Sequence, residues 1–201
     1  MSQGFRSLEQ LLRSEEPTDS ELSVALSTFD EALPIDLQAL ALARAEVEMS
    51  EAEYGCDWVT HFAGLRTLTS ETYEALEGFG DASVLSALCA NPAVSEALLR
   101  KIVNDGGEDA EGNNLGYVIL LNPACTRELA LQIALDEDCF SDSGIRYQLC
   151  KCELLTDADL NKILDCGDDT ELEEILHELL SHPNISATTS KRIDSLIEQY
   201  G

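Results

Sequence analysis

A register that returns about every 30 residues is what most limits the folds open to this chain. Asn91-Pro92-Ala93-Val94-Ser95 stacks over Asn122-Pro123-Ala124-Cys125-Thr126, then over Cys152-Glu153-Leu154-Leu155-Thr156 and His182-Pro183-Asn184-Ile185-Ser186. The leading position recurs after 31, 30 and 30 residues. Apolar residues keep step with it. Leu88, Ile119, Leu149 and Leu179 stand three before, Val94, Cys125, Leu155 and Ile185 three after, and Ile102, Ile133, Ile163 and Ile193 eleven after. A recurring apolar slot marks a supersecondary unit that buries its face by stacking on its own copies, which is how solenoids are built.

Each unit reads as a short helix, a tight turn and a second helix. Ser95, Thr126, Thr156 and Ser186 stand where the second helix begins, and their hydroxyls can accept a bond from an otherwise unpaired first-turn amide. The recurring isoleucine lies seven residues further on, two turns along the same face. A degenerate first repeat runs from about Trp58 to Phe79, with Leu68-Thr69 matching Val94-Ser95 and Leu76 matching Ile102, at a step of 26 residues. Ahead of it, Phe5, Leu8, Leu11 and Leu12 take helical spacing before Pro17, and Leu22, Val24, Ala25 and Phe29 supply a second helix starting near Asp19 or Ser20. A long helix begins near Asp36, after Pro34, and Gly55 offers its end. Trp58, Phe62 and Leu65 lead into the array. The expected class is all-α, a right-handed α-solenoid of four to five helix-turn-helix repeats over 58–201, covered by an N-terminal helical cap over 1–57.

The turn Asn91-Pro92-Ala93-Val94-Ser95 and its copy Asn122-Pro123-Ala124-Cys125-Thr126 resemble the Asn-Pro-x-Thr/Ser turn of leucine-rich repeat variant proteins, a family of HEAT-like α-solenoids. The resemblance covers roughly residues 82 to 201, with Cys152-Glu153 and His182-Pro183 replacing Asn-Pro in the later copies. It implies a helical solenoid and no particular partner, because such folds host many functions.

Composition narrows the function. Thirty-nine Asp and Glu against twelve Lys and Arg give a formal net charge of −27, while the hydrophobic fraction of 44% is that of a globular protein. A nucleic-acid duplex or an anionic membrane would be repelled by that field, and a cationic partner would be steered toward it. No apolar run is long enough for a transmembrane helix, and Met1 to Leu12 is amphipathic without a secretory-signal pattern. Seven cysteines form no dense framework, which fits a reducing cytoplasm.

The residues that could carry chemistry do not assemble into a motif. Cys89, Leu120, Cys150 and Leu180 share one slot, and Cys125 shares another with Val94, Leu155 and Ile185. Cysteine exchanging with Leu and Val behaves as a small buried hydrophobe. Cys139, Cys150, Cys152 and Cys166 contain no CxxC pair, so no metal is expected. His177 and His182 are five apart and diverge by about 140° around a helix, against a zinc-protease arrangement. Asp136, Asp138 and Asp142 lack the glycine and bidentate glutamate of a calcium loop, since Phe140 and Ser141 stand in the key places. Gly106-Gly107 and Gly112 lack the spacing and lysine of a phosphate loop. The expectation is a non-enzyme without cofactor.

Acidic clusters remain, one after each successive second helix. They are Asp105, Glu108, Asp109 and Glu111, then Asp136, Glu137, Asp138 and Asp142, then Asp165, Asp168, Asp169 and Glu171. In a solenoid these loops would line one edge as a stripe. Their placement after a helix C-terminus opposes the helix dipole as well as their own repulsion, which points to display for a partner. The sequence therefore reads as an acidic binding protein that neutralises a basic, nucleic-acid-acting protein by charge mimicry, as a toxin-immunity or phage anti-defence protein would. The alternative is a scaffold or adaptor whose concave face binds a peptide or helix, with acidity serving solubility.

Overall fold

In the computed structural model, residues 3–14, 17–27, 32–51, 56–166 and 169–200 are described. Among them every regular element is a helix, fourteen in all, and there is no strand. The chain is all-α. It packs as two compact units, Met1–Gly112 and Asn113–Gly201.

The first unit contains α1 (Gln3–Arg13), α2 (Asp19–Ser27), α3 (Ile35–Glu51), α4 (Asp57–Ala63), α5 (Ser70–Glu77), α6 (Ala82–Ala90) and α7 (Glu96–Asn104). Leu8 and Leu12 of α1, Leu22 and Leu26 of α2, and Leu37, Ala41 and Ala45 of α3 recur at helical spacing and are buried. Val24, expected to be among the apolar contacts of α2, is 62% exposed, and Leu26 takes the inward position instead. Pro17 lies beyond the helix it was expected to end, because α1 already stops at Arg13. The carbonyls of Leu12 and Ser14 are taken up by the Arg44 guanidinium at 3.2 and 2.7 Å. Gly55, Phe29 and the side chain of Phe5 lie outside the described residues.

Polar side chains fasten the leading helices to the first helix pair, α4 and α5. The Trp58 indole N–H donates to Glu48 at 2.6 Å, so the largest buried ring keeps its polar atom satisfied. Gln38, almost fully buried, accepts from the Thr69 amide and the Thr72 hydroxyl and donates to Leu33 and Thr67 carbonyls. Helix α4 packs on α2 and α6, α5 packs on α3 and α6, and α6 packs on α7.

The second unit contains α8 (Gly116–Ile119), α9 (Arg127–Leu135), α10 (Glu137–Ser141), α11 (Ser143–Leu149), α12 (Asp157–Cys166), α13 (Asp169–Leu179) and α14 (Ala187–Tyr200). Here α11 touches α8 and α13, α9 touches α12, and α13 touches α14. Helices α8/α9, α11/α12 and α13/α14 are joined by the repeated turns, as α6/α7 are in the first unit. Helix α10 departs from a plain two-helix unit, lying between α9 and α11 in the chain and packing on both.

The repeated residues do what their spacing demands. Ile102, Ile133, Ile163 and Ile193 are all at most 2% exposed, each on a second helix. Leu88, Ile119, Leu149 and Leu179 are equally buried, as are Val94 and Leu155, while Cys125 is 6% exposed and Ile185 is half-buried. Ser95 accepts from the Leu98 amide, Thr126 from Leu129, Thr156 from Asp159 and Ser186 from Thr189. Thr69 accepts from Thr72 in the degenerate copy. Replacing Thr126 by alanine is expected to cost about 1 kcal/mol, read as a shift of the urea midpoint with unchanged slope. A neutral result would mean that the Leu129 amide finds water instead.

Cys89, Cys125, Cys139, Cys150 and Cys152 are buried and unbridged, and Cys56 is half-buried. Burial pushes the Cys89, Cys139 and Cys150 thiols up to about 12, so they are held as neutral thiols at physiological pH. Among the described residues no three His, Cys, Asp or Glu side chains converge as for a metal ion. No described helix is long and apolar enough to cross a membrane.

Candidate functional site

The first acidic cluster follows α7. Asp105 closes that helix, Gly106 takes a left-handed backbone at φ 70°, and the Gly107 amide bonds back to the Ile102 carbonyl at 3.0 Å. This is the Schellman closure, and it needs a residue without a Cβ penalty at Gly106. Asp105 therefore does sit against a C-terminal dipole, as the sequence led one to expect. Asp105, Glu108 and Asp109 line a cleft of about 600 Å³ with Glu77, Lys101 and the glycines at 78, 80, 106 and 107. In its wall Lys101 binds the buried Glu77 carboxylate at 2.5 Å. That hydrogen bond is the main reason the Lys101 ammonium holds its proton above the ordinary range, which makes it a poor nucleophile.

Asp109 is a correction. It was expected on the partner surface, yet it is buried, and its carboxylate accepts the Glu111 amide at 3.0 Å. Its local bond orders the loop. Asp105, Glu108 and Glu111 remain exposed.

The second cluster stands at junctions, where each capping acid closes one helix and opens the next: Asp136 is the C-cap of α9 and Asp142 that of α10. Asp136 is the N-cap of α10, accepting from the Cys139 amide at 2.9 Å, and Glu137 and Asp138 form its first turn. Asp142 is the N-cap of α11, accepting from the Gly144 and Ile145 amides at 2.7 and 3.1 Å. Asp136 thus still follows the C-terminus of α9, as the sequence led one to expect, but its carboxylate is engaged at the positive end of α10, where negative charge is favoured. At the other end of α10, the buried Arg146 donates to the Phe140 and Ser141 carbonyls at 2.6 and 2.7 Å and reaches Glu174 on α13 at 2.5 Å. The short helix thus has acids at its start, and at its finish a guanidinium on its carbonyls beside the C-cap Asp142.

In the third cluster Asp165 lies in the last turn of α12 and is offset by Arg192, which approaches it at 2.5 Å and also reaches the Leu164 carbonyl. Asp169 and Glu171 belong to the first turn of α13, again the favourable end, with side chains outside the described residues. Asp168 lies outside them altogether. Of the twelve acids, Asp105, Glu108, Glu111, Asp136, Glu137 and Asp138 are exposed with no Lys or Arg among the described residues within 4 Å of their carboxylates.

Two features that sequence reading missed organise the repeats. One is the bidentate pair of Arg127 on α9 with Asp159 on α12, at 2.7 and 2.9 Å. Asp159 is fully buried, yet Arg127 first, with Thr156 behind it, holds its carboxyl well below the usual carboxylate range. The other is the turn-to-turn bonding made by the leading slot. Asn91 donates to the Ala63 and Leu65 carbonyls, both at 2.9 Å, and accepts from the Ala93 amide. His182 repeats this with a ring, bonding the Cys152 carbonyl and accepting from the Asn184 amide.

Comparison with protein-family models, with curated proteins and with solved structures finds no match to this chain.

Proposed function

We propose that this chain is an acidic helical-repeat binding protein that neutralises a basic, nucleic-acid-acting protein partner by presenting carboxylates where that partner takes phosphates. The observation that carries the reading is the set of six exposed carboxylates with no Lys or Arg among the described residues within 4 Å, in a chain of net charge −27. Such charges remain available for intermolecular pairing, and at a rim they raise the association rate more than the affinity. The architecture proposed with it is a right-handed α-solenoid of the leucine-rich repeat variant or HEAT-like kind. Repeated N-caps, four equivalent buried isoleucines and bonds between successive turns support it. Toxin immunity and phage anti-defence are the settings in which a charge mimic of this kind would act, in the cytoplasm.

The experiment is capture of the partner from the native host with identification by mass spectrometry, followed by binding kinetics at several salt concentrations. A basic partner whose association slows about tenfold or more between low and physiological salt is expected. Glu108→Gln, Glu111→Gln and Glu137→Gln together should slow association at low salt. Unlike Asp136, none of these three carboxylates makes a cap bond, so the fold should be little disturbed. The triple change Asp136→Asn, Glu137→Gln and Asp138→Asn is a less clean probe. It relieves repulsion but weakens the start of α10, and is expected to lower stability by up to about 1 kcal/mol. A neutral or acidic partner, or rates indifferent to salt, would overturn the mimic.

The scaffold reading has one observation of its own. Leu121, Tyr147 and Leu154 in the second unit are 66%, 47% and 41% exposed, apolar side chains that a bound peptide or helix could cover. Salt-indifferent binding lost on Leu121→Ser would favour it.

A further inference from the structure

Of the three histidines, His61 and His177 are exposed, whereas His182 is 2% exposed. Two backbone groups fix its ring chemistry. The Asn184 amide can only donate, so Nδ1 accepts, at 3.1 Å. The Cys152 carbonyl can only accept, so Nε2 carries the hydrogen, at 3.1 Å. The first bond shapes the turn at 182–184, and the second ties that turn to the one before α12. Further bonds depend on the same turn. The Asn184 side chain donates to the Glu153 and Leu155 carbonyls at 2.8 and 2.7 Å, and the Ser186 amide donates to Asp157 at 2.7 Å.

A second ring proton would set N–H against N–H at the Asn184 amide and place a cation where water is largely excluded. Among the described residues no carboxylate lies within 4 Å of the ring to offset that charge. The elements that meet at this turn carry other titratable groups. The α11–α12 turn brings the buried thiols of Cys150 and Cys152 with exposed Lys151 and Glu153, and α12 brings Asp157, engaged with Ser186. Helix α13 brings exposed His177 and Glu178, the latter acting on Cys150, and α14 brings exposed Lys191.

We propose that His182 is a proton-operated clasp: protonation of its ring releases the turn at 182–186, and with it the docking of α13 and α14, from the turn at 152–155. The device does not depend on the charge-mimic reading. It makes the last helix pair the part of the chain that acid loosens first.

The test is hydrogen exchange of the full chain at about pH 7.5 and about pH 5.5, values that bracket the range in which imidazole ordinarily takes a proton. Rates are corrected for intrinsic exchange. Protection of amides in 185–193 is expected to fall about tenfold relative to those of α9, the scale of one buried group losing its partner. His182→Asn supplies a slot residue found twice elsewhere and takes no proton, so it should abolish the differential. Equal loss in both proteins, or no differential in the wild type, would overturn the clasp. Should the variant fold poorly, ¹⁵N spectra of the wild-type ring decide. The Nε2–H tautomer near neutrality, converting to imidazolium together with a shift of the Asn184 amide, supports the proposal. A ring that stays neutral, or protonation that leaves that amide unmoved, rejects it.

Discussion

Replacing Arg127 by methionine is expected to destabilise the second unit by about 3 kcal/mol, at the low end of what breaking a buried ion pair costs. The reason lies in an asymmetry of exposure. Arg127 is 42% exposed and would return to water easily, but Asp159 is fully buried and would be left with Thr156 and the more distant Lys162. The uncompensated carboxylate carries the cost. Arg127→Met combined with Asp159→Asn should therefore be less unstable than Arg127→Met alone, since the second change removes the stranded charge. Simple additivity of the two single changes would reject this account. Acid titration gives the same interaction a second readout. The folded state holds the Asp159 proton less tightly than the unfolded chain, whose aspartates titrate at about 4. Below that range the unfolded chain binds the extra proton, so the stabilisation is complete above it and disappears as pH falls. The gap between wild type and Arg127→Met, measured by urea unfolding from about pH 7 to about pH 3, should narrow at the acid end. A constant gap would assign the loss to packing of the arginine stem.

What could be read from the sequence was whatever depends on local spacing. Ser95, Thr126, Thr156 and Ser186 cap second helices because a hydroxyl three residues ahead of a free amide needs nothing distant to do so. The isoleucines are buried because eleven residues past the turn is a fixed place on the same helix face. The acidic clusters were harder for a definite reason. Acids between two helices can belong to the end of the first or the start of the second, and the dipole favours the second. Asp136 three residues before Cys139, and Asp142 three before Ile145, carried the N-cap spacing that decides it, and Asp109 carried no local mark of burial. Asp159 did carry one. Its slot in the other repeats holds Leu98, Leu129 and Thr189, all buried, so a carboxylate there implied a partner. What spacing within one repeat does not name is that partner, 32 residues earlier on a neighbouring helix. The six exposed acids likewise become distinct from the others once the arginines are placed.

Asn91 gives the second large effect, and it tests the architecture through its most repeated position. Its side chain is almost fully buried and carries opposite duties on its two ends. The amide nitrogen donates to the Ala63 and Leu65 carbonyls, and the oxygen accepts from the Ala93 amide that shapes the turn. Asn91→Ala leaves the buried Ala63 carbonyl and the Ala93 amide without their partner, while the Leu65 carbonyl keeps the Tyr73 hydroxyl at 2.6 Å, and the expected loss is about 2–3 kcal/mol. Asn91→Asp separates the two ends of the side chain. It keeps the shape and the acceptor for Ala93, but loses both donors and turns a negative oxygen toward two carbonyl oxygens. Near neutral pH it should be at least as unstable as Asn91→Ala, despite filling the same volume. As pH falls and the carboxyl takes a proton, one donor is regained and the repulsion disappears. The deficit of Asn91→Asp relative to Asn91→Ala should then shrink or reverse, read as urea midpoints at about pH 7 and about pH 4. If the aspartate variant is as stable as the wild type near neutrality, the bonds from Asn91 to the preceding turn do not hold the repeats together. The stacking would then rest on the isoleucine and leucine slots alone.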